Sequence, residues 1–199
     1  MKKQISILFL VTTLLIGGAW YWAAFESGQE NRNREAIRGN DALAAQFEYL
    51  SENGKTSCSL AFREGVQDLP PGERLQGSCC SPMSLHRYEE QIEGLQKFKV
   101  TSGQSIDKIP DDPYDIDAGL AKELMSYYDI ELTQEEQEAY DYAMANSHEK
   151  GPCCCKCWRW YVYGGLGKYL IRNHGFTGEQ LTEVWNLSDG CGGDSEHHH

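Results

Sequence analysis

Basic residues are scarce in this chain. Lys and Arg number 18 against 30 Asp and Glu, for a formal net charge of −12. A surface of that sign repels nucleic acid and anionic lipid head groups, so neither is expected as a partner. It attracts cations instead. The chain also lacks sustained apolar–polar alternation, so no large sheet is expected, and it shows no internal repeat. There is no G-x-S-x-G, P-loop, H-E-x-x-H or C-x-x-C-H motif, which leaves hydrolase, nucleotide-dependent and haem chemistry without a carrier. Asp111, Asp112, Asp115 and Asp117 lack the spacing of a calcium loop and read as a solvated acidic segment.

Long apolar runs are equally rare, with one exception. Ile5 to Phe25 carries no charge, and roughly 20 such residues are enough to span a bilayer. A cleaved secretory core is shorter, about 7–15 residues, and ends in a small-x-small site. Here Tyr21 and Trp22 fill the position three residues before the candidate cleavage points. Trp20, Tyr21 and Trp22 fit an interfacial aromatic belt. With Lys2 and Lys3 ahead of the run, the expectation is a single-pass signal-anchor over 1–25, N-terminus inside. A linker over 26–40 and an extracytoplasmic domain over 41–195 would follow. The tail 196–199 holds His197, His198 and His199, which read equally as a weak metal site or as the remnant of an affinity tag.

The domain is expected to be mostly α. Leu43, Phe47 and Leu50 mark a first amphipathic helix capped by Asp41. Residues 56–77 read as a long irregular loop with room for one short strand. Ser81 and Pro82 resemble a helix start, followed by Leu85, Tyr88, Ile92 and Leu95. Asp117 caps another helix, and Thr133 with Glu136 forms a capping box. A central helix is expected from Pro152 to Asn173, stopped by Gly175, with Gly164, Gly165 and Gly167 marking a kink or a close helix approach. Thr177 and Gln180 cap the last helix.

Eight cysteines are present, and six lie in two clusters, Cys79-Cys80 and Cys153-Cys154-Cys155-Lys156-Cys157. A single core accepts one cysteine as a small apolar residue, but four thiols within five positions cannot all face it. Clustered cysteines suit ligands or a redox centre. On a helix starting at Pro152, Cys157 would share a face with Cys153 or Cys154. The expected site gathers Cys153, Cys154, Cys155 and Cys157 with Cys79, Cys80 and Cys191 around a soft ion, Cu(I) or Zn²⁺. Met83, His86 and His148 lie close in sequence and are candidate extra ligands. A metal-transport or redox protein would be the natural partner. Two other readings remain open. An extracellular domain could simply pair all eight cysteines in four disulfides, and Cys154-Cys155-Lys156-Cys157 is formally the C-x-x-C of a thiol–disulfide oxidoreductase.

Around Pro152, Cys153, Cys155 and Cys157 the chain resembles bacterial membrane-attached proteins named for a P-C-Y-C-G-C motif. The tyrosine and glycine positions hold Cys154 and Lys156, and the lipid-bearing cysteine is absent. The resemblance implies membrane attachment and metal handling, with Cys153, Cys155 and Cys157 as the principal set.

Overall fold

The structure, a computed structural model, describes residues 39–101 and 106–192. The chain divides into two units, Met1–Ala45 and Gln46–His199. Residues 39–52 are helical (α1), so Asp41 lies inside a helix rather than at its cap. No helix among the described residues is long and apolar enough to cross a membrane. The run from Ile5 to Phe25, the expected linker up to residue 38, and the histidine tail lie outside them, while residues 39 and 40 at the end of that linker are already part of α1.

The second unit is mostly helical, as the sequence implies. Among the described residues six helices follow α1: α2 (Leu60–Gly65), α3 (Leu85–Thr101), α4 (Ala118–Ser126), α5 (Gln134–Asn146), α6 (Trp158–His174) and α7 (Gly178–Leu187). A short 3-10 turn, Val66–Asp68, extends α2. Two three-residue strands, β1 (Arg74–Gln76) and β2 (Asp115–Asp117), pair antiparallel with Leu75 opposite Ile116. The region expected to be one irregular loop thus contains a helix as well as the strand. Ser59 caps α2, its side chain accepting from the Phe62 N–H.

Helix ends set by a side chain on its own backbone fall where the sequence puts them. Asp117 accepts from the Leu120 N–H, and both capping boxes, Thr133 with Glu136 and Thr177 with Gln180, are complete. Gly175 closes α6 in the left-handed region (φ 65°), where a glycine carries no Cβ penalty. Two helix starts differ from expectation. α3 begins at Leu85, because the Ser81 N–H and hydroxyl are both taken by the Cys191 carbonyl, each at 2.9 Å. α6 begins at Trp158 with Cys157 at its N-cap, six residues after Pro152.

α6 is the axis of the core. Trp158, Val162, Leu166 and Leu170 are fully buried along it, and α2, α4, α5 and α7 pack around it. Gly165 allows α4 to approach, since a Cβ there would run into the Leu124 carbonyl. The glycines therefore mark a helix–helix contact in an unbroken α6 rather than a kink. α2 docks on the first turns of α6, with Phe62 tilted against Trp158 at 6.3 Å between ring centroids and Arg63 Nη1 donating to the Tyr161 hydroxyl at 3.0 Å.

A candidate metal centre of eight thiols

Three loops meet at the N-terminal end of α6, and each brings cysteines. The loop before α2 supplies Cys58. The turn after β1 supplies Cys79 and Cys80. The segment after α7 supplies Cys191, which meets the run 153–157. Ser81 clips the second loop to the Cys191 carbonyl, and Thr56 Oγ1 lies 3.1 Å from the Gly77 and Ser78 carbonyls, tying the first loop to the second. Gly192 adopts φ 78°, and a Cβ there would strike the Ser81 carbonyl, so the closing turn requires glycine.

The run 152–157 is an irregular, bent segment. Successive residues on a helix point about 100° apart, which would fan Cys153, Cys154 and Cys155 in three directions. In the bent segment their three sulfurs all lie within 4.8 Å of one another. Cys153 and Cys157 still approach, at 3.8 Å, but through the loop and not along a helix face.

All eight cysteines join one continuous network. From Cys58 the path runs to Cys80 at 3.0 Å, then to Cys79 at 3.7 Å, Cys154 at 3.6 Å and Cys155 at 3.9 Å. Cys154 reaches Cys191 at 2.9 Å, Cys191 reaches Cys153 at 3.2 Å, and Cys153 reaches Cys157. All eight are free thiols. With a metal–sulfur bond of about 2.3 Å, two ligands of one tetrahedral ion sit about 3.8 Å apart, so most of these separations match a shared ion. Five trios of cysteines are compact enough to hold one. The nest is asymmetric: Cys153, Cys157 and Cys191 are buried, while Cys80 and Cys154 are exposed.

Eight thiols at such distances cannot ionise together, and the network divides them. Cys79 is held far below the usual thiol range by contacts with Cys153, Cys157 and Cys191, aided by the Arg159 charge. Cys154 falls to about 2 and Cys155 to about 6, in both cases chiefly through Cys153. Cys153 is pushed up in return, most of all by its contact with Cys154. Burial raises Cys58 and Cys80. Cys157 is drawn down by Cys153 but, facing Cys79 and buried, is pushed up to about 12. Cys191 is likewise drawn down by Cys153, yet its contacts with Cys154 and Cys79 leave it raised. Ionised sulfurs thus sit among protonated ones, each thiolate stabilised by neighbouring S–H donors.

Beneath the nest lies Arg159, with no exposed surface. Its Nη1 donates to the Pro113 carbonyl, and its Nη2 to the Gly77 carbonyl at 2.9 Å. The guanidinium stacks 4.5 Å over the Trp158 ring and against Gly190. No carboxylate pairs with it among the described residues, and its Nε has no acceptor.

The cysteines expected to meet, Cys79, Cys80, Cys153, Cys154, Cys155, Cys157 and Cys191, do meet. Cys58 joins them as well; it is outside the expected ligand set, and only the four-disulfide reading, through the even count of eight, brings it to the cluster. Among the described residues, neither His86 nor His148 is in a compact group with the cysteines. His86 is exposed and pairs with Glu90 at 3.3 Å. Met83 is half-buried. The C-x-x-C lies at the end of a bent loop, with no strand feeding it. Comparison with protein-family models, curated proteins and solved structures gave no match.

Proposed function

We propose that the protein binds a soft metal ion, Cu(I) or Zn²⁺, through its clustered cysteines and holds it for transfer, anchored at the outer face of a membrane by the apolar run Ile5–Phe25. The observation that carries this reading is the convergence of eight free thiols from four separate segments, with neighbouring sulfurs 2.9–3.9 Å apart. Thiolates of that density suit soft ions. The exposed pair Cys80 and Cys154 gives an incoming ligand somewhere to start, so an ion can pass to a partner protein by stepwise exchange of sulfurs. The resemblance around Pro152–Cys157 points the same way. Nothing in the site calls for catalysis.

The test is titration of the reduced full chain with Cu(I) and Zn²⁺ against competing chelators, beside a Cys153→Ser/Cys157→Ser variant. Tight, stoichiometric binding that the variant loses supports the proposal. No binding tighter than micromolar by either protein sinks it.

One observation favours a second reading. Cys154 and Cys191, at 2.9 Å, and Cys58 and Cys80, at 3.0 Å, are close enough to bridge with small shifts. In an oxidising compartment the nest would then act as a disulfide staple. A thiol count on anaerobically purified native protein separates the two, since four bridges leave no free thiol.

A further inference from the structure

The geometry points to a polynuclear centre: about five Cu(I) ions joined through shared thiolates, forming one anionic copper–thiolate cluster over the buried Arg159. This rests on the metal-binding reading above and specifies the ion, the number and the mode of binding.

One ion uses at most four protein thiolates, half of what the four segments deliver. The sulfurs also do not sort into two independent sets of four. They form five overlapping trios, namely Cys58-Cys80-Cys155, Cys58-Cys79-Cys157, Cys79-Cys153-Cys191, Cys80-Cys154-Cys191 and Cys153-Cys154-Cys155. Cys157 belongs to one trio, and each of the other seven belongs to two. That is the connectivity of bridging ligands. A thiolate has lone pairs enough to bind two ions, and three-coordinate sulfur sites suit a monovalent soft ion. One Cu(I) per trio would use seven bridging thiolates and leave Cys157 terminal.

Charge supports the same conclusion. Coordination by all eight sulfurs requires eight thiolates, and eight negative charges together carry a prohibitive desolvation cost. Five ions reduce the eight charges to about three. Arg159 faces the residue. A fully buried guanidinium without a carboxylate partner is itself costly, and Cys79, Cys153 and Cys191 are near enough for their charge to act on it. The cation and the anionic cluster account for each other. Formation is a matter of ligand exchange: each entering Cu(I) displaces whatever protons the thiols it joins still hold, and no electron changes hands.

The full chain, reduced and loaded anaerobically with Cu(I), is examined by native mass spectrometry and copper X-ray absorption. About five ions per chain, a copper–copper scattering shell, and little population between empty and full loading are expected. Cys80→Ser, at the exposed rim and checked for folding by circular dichroism, should lose at least one ion. One ion per chain with sulfur neighbours alone, unaltered in Cys80→Ser, overturns the cluster and leaves the single-ion reading standing. Tight Zn²⁺ binding without Cu(I) does the same. Acid-labile sulfide in the purified protein, the mark of an iron–sulfur centre, also overturns it. Failure to bind either metal removes both proposals.

Discussion

Arg159 Nη2 donates to the Gly77 carbonyl at 2.9 Å, and that bond links two of the cysteine-bearing segments. Arg159 stands two residues after Cys157, and Gly77 two residues before Cys79. The other side of the guanidinium rests on Gly190, one residue before Cys191. One side chain thus sets the spacing of three cysteine-bearing segments.

Arg159→Met should therefore loosen all three segments. It forfeits two charge-assisted hydrogen bonds, each worth about 1.5–3 kcal/mol, while relieving part of the desolvation of a buried charge. A net loss of about 2 kcal/mol in urea unfolding is expected, together with reduced metal capacity. Arg159→Lys keeps the charge but cannot reach both carbonyls, so it should lose stability while retaining more of the capacity. Equal capacity in wild type and Arg159→Met would remove the positioning role.

The glycines of α6 make a second, purely structural prediction. Gly165→Ala drives a methyl into the Leu124 carbonyl of α4, where backbone rather than a flexible side chain must give way. A loss of about 2–3 kcal/mol is expected. Gly65, at the end of α2, has a helical φ of −67° and nothing within 4 Å of an added Cβ. Gly65→Ala should be neutral or stabilising by about 0.5 kcal/mol. Thermal unfolding of the pair checks the contrast.

What the sequence revealed follows the range of the interaction concerned. Asp117, Thr133 and Thr177 cap their helices through their own backbone within three residues, and all three are legible. Ser59 does the same for α2 and was equally legible, though the Gly- and Pro-rich surroundings of 56–77 masked it. Pro152 and Ser81-Pro82 carry helix-start signals of the same kind but are overruled. Ser81 is held by Cys191, 110 residues away, and a helix at Pro152 would splay the thiols that the loop gathers. Cys58 is invisible locally because its partner Cys80 lies 22 residues on, and nothing near Cys58 repeats the clustered spacing.

Glu136 offers a pH test remote from the thiols. Its carboxylate accepts from Arg172 Nε and Nη2, both at 2.7 Å, and from the Thr133 N–H at 2.8 Å. The Arg172 contact foremost, then the Thr133 bond, lowers its pKa from 4.5 to about 2. A depressed carboxyl contributes stability above its unfolded pKa and loses it as pH falls through the folded one. Glu136→Gln should therefore be less stable than wild type at neutral pH, with the difference closing between pH 4.5 and about 2. A gap that stays constant across that window would rule out the ionic contribution.

Thiol reactivity should follow ionisation as well as exposure. Cys80 and Cys154 are both exposed, but burial of its sulfur raises Cys80, while Cys153 holds Cys154 down to about 2. The thiolate is the nucleophile. Limiting iodoacetamide at pH 6 should label Cys154 well before Cys80, with Cys153, Cys157 and Cys191 last, as read by peptide mass spectrometry. Equal labelling of Cys80 and Cys154 would contradict the assigned division of protons.

That division also fixes the proton balance of metal uptake. Ligands must be deprotonated to bind, so uptake releases whatever protons the thiols hold. Cys58, Cys80, Cys153, Cys157 and Cys191 are raised, and Cys79, Cys154 and Cys155 are lowered. At pH 7.5 the raised thiols keep their protons and the lowered ones have already lost theirs. Complete loading should thus release about five protons per chain, fewer than the eight expected of independent thiols. Because protons are products, apparent affinity rises with pH and falls in acid. Below about pH 6, where Cys155 also becomes protonated, release per chain should increase and affinity drop more steeply. Proton release in weakly buffered solution with a pH indicator measures both effects. Eight protons at pH 7.5 would mean that the thiols titrate independently and that the network does not hold its three thiolates.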